Sequence, residues 1–127
     1  MPSHQRLWLA GGWLLVGLVI YLSLIPHPPE PKYFPSADKL GHVFAYCGLS
    51  LWFCQLYRTV ASRMTTISAL IGLGAGLEFI QGWMGYRYFE VWDMAANTAG
   101  VMMGFLLVHT RLGRLFVLIE VKLRQVV

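Results

Sequence analysis

The run LWLAGGWLLVGLVIYLSLI, residues 7–25, is the passage on which the fold turns. It is an apolar stretch of 19 residues without a single charge. At about 1.5 Å of rise per residue, a helix of that length covers about 28 Å, the thickness of a bilayer's hydrocarbon core. Arg6 ahead of it would also suit the start of a signal peptide. The run exceeds a usual signal core, however, and no small-x-small cleavage motif precedes Pro26, so the reading is a retained membrane span.

The rest of the chain repeats the pattern. Pro26, Pro28, Pro29 and Pro31 crowd into six residues, which excludes regular helix and favours an extended linker. Ser36 offers an N-cap, and residues 40–57 form a second apolar run that opens with Asp38, Lys39 and His42. Residues 58–66 are polar enough to be a short loop. Residues 67–83 and 91–108 give a third and a fourth run, separated by Gly85, Tyr86, Arg87 and Tyr88. The expectation is an all-α integral membrane four-helix bundle, one domain over residues 1–127.

Composition agrees. Hydrophobic residues make up 57% of the 127 and charged residues 13%, about half of the ~25% charge of a soluble domain. Mean hydropathy is +0.56. Too few charges remain to cover a soluble monomer, and the same numbers exclude a disordered tail or a disulfide scaffold. The net charge of +4 comes from Lys and Arg scattered between apolar runs rather than from a basic stripe, so no nucleic-acid partner is implied. Cys47 and Cys54 lie seven apart in one helix, about 10 Å along its axis, too far to bridge, and read as packing residues.

Lys and Arg also orient the chain. Seven (Arg6, Arg58, Arg63, Arg111, Arg114, Lys122, Arg124) fall on one side, against three (Lys32, Lys39, Arg87) on the other. The positive-inside rule then puts both termini in the cytoplasm. Beyond the fourth span, Leu112, Leu115, Phe116, Ile119 and Leu123 recur at helical spacing between basic residues. Either an interfacial amphipathic helix or a plain charged stop accounts for them.

Polar residues inside spans are costly, so their positions carry information. Asp38, His42 and Tyr46 make one stripe on span two, Glu78 and Gln81 lie near the outer end of span three, and Glu90, Asp93 and Asn97 open span four. With this topology all converge on the outer third of the membrane as a shared polar pocket. Ser68, Gly72 and Gly76 on span three, with Gly100 and Gly104 on span four, are spaced for close helix packing. Trp8, Trp13, Trp52, Trp83 and Trp92 read as interfacial anchors.

Three blocks in order now carry a resemblance: Asp38-Lys39-x-x-His42-x-x-x-Tyr46; Glu78-x-x-Gln81; and Arg87 followed by Asp93-x-x-x-Asn97-x-x-Gly100. Over residues 36–108 the chain resembles the VanZ-like family of small bacterial membrane proteins, named for an accessory protein of teicoplanin resistance. The resemblance implies a helical bundle in a bacterial cytoplasmic membrane with a link to the cell envelope and antibiotic resistance. It implies no reaction.

The residues themselves leave several functions open. The N-termini of spans two and four, with Lys39 and Arg87, suit an anionic headgroup, such as that of a lipid-linked envelope precursor, or a lipophilic glycopeptide-type antibiotic. Asp38, Lys39, His42, Tyr46, Glu78, Gln81, Arg87, Asp93 and Asn97 would line that site. An enzyme acting on a lipid headgroup is the alternative, with His42 as acid or base, Asp38 or Asp93 orienting it and Glu78 as second carboxylate. A metal on His42, Glu78 and Asp93 would be a variant of it, without a motif behind it, and no cofactor is implied. A purely structural network that fixes helix register is the third reading. Membrane lipids are the expected partners, with a homo-oligomer or another membrane protein in reserve.

Overall fold

The computed structural model describes residues 4–24, 37–84 and 91–126, with residues 37–39 described by their backbone alone. The proline-rich linker, Ser36, Arg87 and Glu90 lie outside the described residues. Every regular element among them is helical: α1 (Gln5–Leu24), α2 (Ala37–Leu56), α3 (Val60–Met84), α4 (Val91–Leu107), a 3-10 turn (Arg111–Arg114) and α5 (Leu115–Val126). By length and apolarity α1 and α3 can each cross a membrane, and α4 joins a third candidate through a sharp bend to the C-terminal segment.

Side-chain pairings set the helix directions. Trp8 of α1 packs on Trp52 of α2, so these two run antiparallel. Val43 and Cys47 of α2 meet Gly100 and Gly104 of α4 in the same order, so those two run parallel. Gln81 near the end of α3 donates to the Ser23 carbonyl near the end of α1 at 2.5 Å. The starts of α2 and α4 and the ends of α1 and α3 therefore share one end of the bundle. Tyr46, Leu49, Phe53, Ile67, Leu70 and Val101 form its core.

Glycine decides the tightest seam. A Cβ on Gly104 would lie 2.5 Å from the Cys47 carbonyl oxygen and 2.9 Å from the Leu51 nitrogen, and one on Gly100 would strike the Val43 carbonyl. The α2 and α4 backbones are thus in direct contact, as the spacing of these glycines predicts. Ser50 Oγ adds a hydrogen bond across the seam to the Val101 carbonyl, 2.8 Å. On α3 the expected stripe is not the one used. Ser68 and Gly72 are exposed, and a Cβ on Gly72 or Gly76 would meet nothing within 4 Å. The buried face runs instead through Ile67, Leu70, Gly74, Leu77, Glu78 and Gln81.

Residues 58–66 also depart from the expected loop, since α3 begins at Val60. Their polar groups serve the helix itself. Thr59 Oγ1 accepts from the Ser62 amide at 3.1 Å, and the Thr65 and Thr66 hydroxyls donate to the Ala61 and Ser62 carbonyls at 3.0 and 2.9 Å. Arg63 reaches back to the end of α2 and donates to the Cys54 and Tyr57 carbonyls at 3.0 to 3.1 Å. Carbonyls that a helix end leaves open are closed by one side chain.

Past α4 the chain bends by 76°. Thr110 caps the 3-10 turn, and α5 folds back over the end of the bundle. It docks through Phe116 and Glu120, both buried, while Leu112, Leu115 and Leu123 stay exposed. The chain therefore does not merely stop after α4. The apolar stripe read in the sequence divides, with Phe116 turned to the bundle and its leucines turned outward. Trp8 and Trp52 also leave the expected role of interfacial anchors. Trp8 stacks on Phe116 at 4.0 Å between ring centres, and Trp52 meets Phe116 edge-on at 4.6 Å. Trp83 and Trp92 do face outward, as does most of Trp13.

Helix α1 buries only Gly12, and Leu7, Leu14, Leu18 and Tyr21 along it are exposed. An apolar surface on that scale needs a hydrocarbon environment.

Candidate functional site

At the shared end, each of three helices turns a polar side chain inward. On α3, Glu78 and Gln81 are buried, the former 1% exposed. On α4, Asp93 is 9% and Asn97 3% exposed. On α2, Tyr46 is buried and His42, one turn nearer the helix start, half-buried. Helical spacing explains each pair: Glu78 and Gln81 are three apart, while His42 and Tyr46, like Asp93 and Asn97, are four apart.

The centre of the arrangement is a bond between helices. His42 Nδ1 donates to Asn97 Oδ1 at 2.7 Å. An amide oxygen only accepts, so Nδ1 carries the hydrogen, and in the neutral ring Nε2 is the basic nitrogen. Asn97 thus holds the His42 ring from α4, while the side chain of Asp38 lies outside the described residues and Asp93 has contacts of its own. The Asn97 amide is itself wedged against α3, where a Cβ on Gly74 would lie 2.8 Å from Asn97 Nδ2. Gln81 turns to the Ser23 carbonyl and so ties α1 into the same end.

The structure brings together His42, Tyr46, Glu78, Gln81, Asp93 and Asn97 at this end. Of the remaining expected site residues, the side chains of Asp38 and Lys39 and the whole of Arg87 lie outside the described residues. Among the described residues no three His, Cys, Asp or Glu side chains gather as a metal ion would require.

Two participants escaped the sequence reading. Gly74 was passed over for the more regular Ser68, Gly72 and Gly76, although it alone of the α3 glycines shares the heptad face of Leu70, Leu77 and Gln81. The second is a polar cluster at the opposite end. Glu120 Oε1 of α5 accepts from the His4 amide and from Trp8 Nε1, each at 2.9 Å, and lies 3.3 Å from His4 Nδ1. Trp52 Nε1 donates to the Trp8 carbonyl at 2.7 Å, and Gln55 Oε1 accepts from the Phe116 amide at 3.1 Å. The available signal was Glu120 four residues after Phe116, an acid on the apolar side of an otherwise basic helix.

The family model described as VanZ/LLP1 matches residues 12–116. A protein of Schizosaccharomyces pombe, uncharacterized protein C11E3.10, is 32% identical over 115 residues, covering 84% of this chain and 68% of its own length. No solved structure matches the chain.

Proposed function

This chain belongs to the VanZ/LLP1 family, and we propose that it is a membrane protein that binds the anionic headgroup of a lipid at the end where α2 and α4 begin. One observation carries the reading. In a chain only 13% charged, Glu78, Asp93 and Asn97 are buried together beside a half-exposed His42 at one end of the bundle. Ionisable groups at membrane depth are expensive and persist chiefly where they bind, relay protons or pair. The N-termini of α2 and α4 direct their partial positive charge to the same end and favour an anion there. Lys39 and Arg87 belong to it by sequence. The relative in a fission yeast favours a headgroup common to many membranes over a glycopeptide-type antibiotic or an envelope precursor found only in bacteria.

The wedge of Asn97 against Gly74 favours a second reading, in which the polar cluster sets the register of α2, α3 and α4 and binds nothing. Thermal unfolding in detergent separates the two. The wild-type protein should gain stability with phosphatidylglycerol or cardiolipin, and Glu78→Gln should fold normally and lose that gain. A variant that melts early, with no lipid-dependent gain in the wild type, would establish the register role instead. Catalysis at His42 would further require a lipid product that His42→Ala no longer forms.

A further inference from the structure

A second site stands apart from the polar end. Between α1 and α3, toward the end where α2 finishes, runs a groove of about 630 Å³. Val16 and Ile20 wall it on one side, Leu70 and Leu73 on the other, and Phe53 forms its floor. Tyr57, Ser62, Thr65 and Thr66 lie at its polar end. We propose that this groove holds an acyl chain of an anionic phospholipid, with the headgroup beside Arg58.

Three features point to that occupant. The groove opens between the two helices with the length and apolarity of membrane spans, so a bilayer would present hydrocarbon to it. Apolar cavities do not hold water, so the filling comes from hydrocarbon. Its length suits an extended chain, since Ser62 to Leu73 measures about 16 Å along α3.

The polar end supplies the third feature. The hydroxyl hydrogens of Ser62, Thr65 and Thr66 are committed to the Thr59, Ala61 and Ser62 carbonyls. These side chains therefore impose no unmet donor on the lipid. Arg58, exposed and next in the chain to the lining residue Tyr57, is a cation close to this end by sequence, which suits a phosphate of an anionic leaflet. The groove shares no residue with the His42 and Asn97 end, so this site stands or falls independently of the headgroup site above.

Native mass spectrometry of the full chain in mild detergent tests it, with phosphatidylglycerol and phosphatidylcholine as the probes. One phosphatidylglycerol should remain bound at activation energies that strip phosphatidylcholine. Ala69→Trp, which puts a large side chain on the groove wall, should lower the retained fraction about tenfold, while Ser68→Trp on the neighbouring exposed face should not. If Ala69→Trp unfolds the protein, Thr65→Phe on the same wall repeats the measurement. Arg58→Gln should bring phosphatidylglycerol down to the level of phosphatidylcholine. Retention that survives filling of the groove, or equal retention of the two lipids, overturns the proposal. A dimer that Ala69→Trp disperses would also overturn it, because a second copy would then be the occupant.

Discussion

The two ends of the bundle both bury polar side chains, but they use them differently. At the end formed by α5, the finish of α2 and the start of α1, polar groups mostly close backbone positions. Arg63 takes the Cys54 and Tyr57 carbonyls, Gln55 takes the Phe116 amide, Trp52 takes the Trp8 carbonyl and Glu120 takes the His4 amide. Helix ends and chain turns leave such groups open, and closing them is what stability demands. At the other end Gln81 does so through the Ser23 carbonyl. There His42 and Asn97 bond side chain to side chain, and two carboxylates are buried near them. A side-chain pair that joins two helices is thus what distinguishes this end, and the proposed headgroup site is built around it.

The contrast breaks most visibly at Phe116. It is 2% exposed, stacked on Trp8 and set against Trp52. Phe116→Ala should cost about 3 to 5 kcal/mol, the usual range for emptying an aromatic core position. The matching outcome is a large drop in melting temperature with the phosphatidylglycerol-dependent gain still present. If that gain vanished in a variant whose α2, α3 and α4 remain folded, the two ends would not be independent.

The ends were not equally legible in the sequence. Polar residues of the His42, Glu78 and Asn97 end stand out because each interrupts an apolar run, where a charge is costly and its spacing is easy to read. The apolar runs foretold α1, α2 and α4 to within a few residues. The start of α3 was hidden because Thr59, Ser62, Thr65 and Thr66 look like a loop in composition, yet satisfy themselves along the helix. The α5 end was hidden for another reason. Trp8, Trp52, Gln55 and Glu120 are far apart in sequence, and an indole near a span end reads equally well as a lipid anchor or as a packing residue. Gly74 was missed because its role depends on Asn97 of a different helix, which no pattern within α3 reveals.

That dependence can be measured. Gly74→Ala places a methyl group where the Asn97 amide sits, so Asn97 must move off His42 or α3 must give way. A double-mutant cycle of Gly74→Ala with His42→Ala should show a coupling of about 1 kcal/mol in detergent unfolding. Additive effects would mean that the His42 to Asn97 bond tolerates the shift, and the polar end would then be less tightly built than its burial implies.

The finest distinction concerns Glu120, which either contributes a charge or serves as an acceptor. Its Oε1 accepts from the His4 amide and from Trp8 Nε1, and neither hydrogen bond requires a full negative charge. One ionic contact is the pair with His4, whose side chain is 60% exposed and so well screened by solvent. Glu120→Gln preserves an acceptor oxygen and removes the charge, so it should cost less than about 1 kcal/mol, the scale of a solvated ion pair. Glu120→Leu removes the acceptor as well and strands the Trp8 indole N–H, which should cost about 1 to 3 kcal/mol. Melting temperatures in that order would show that this end is held by hydrogen-bond closure. If Gln proved as harmful as Leu, charge would be what the α5 end depends on, and the difference drawn between the two ends would fail.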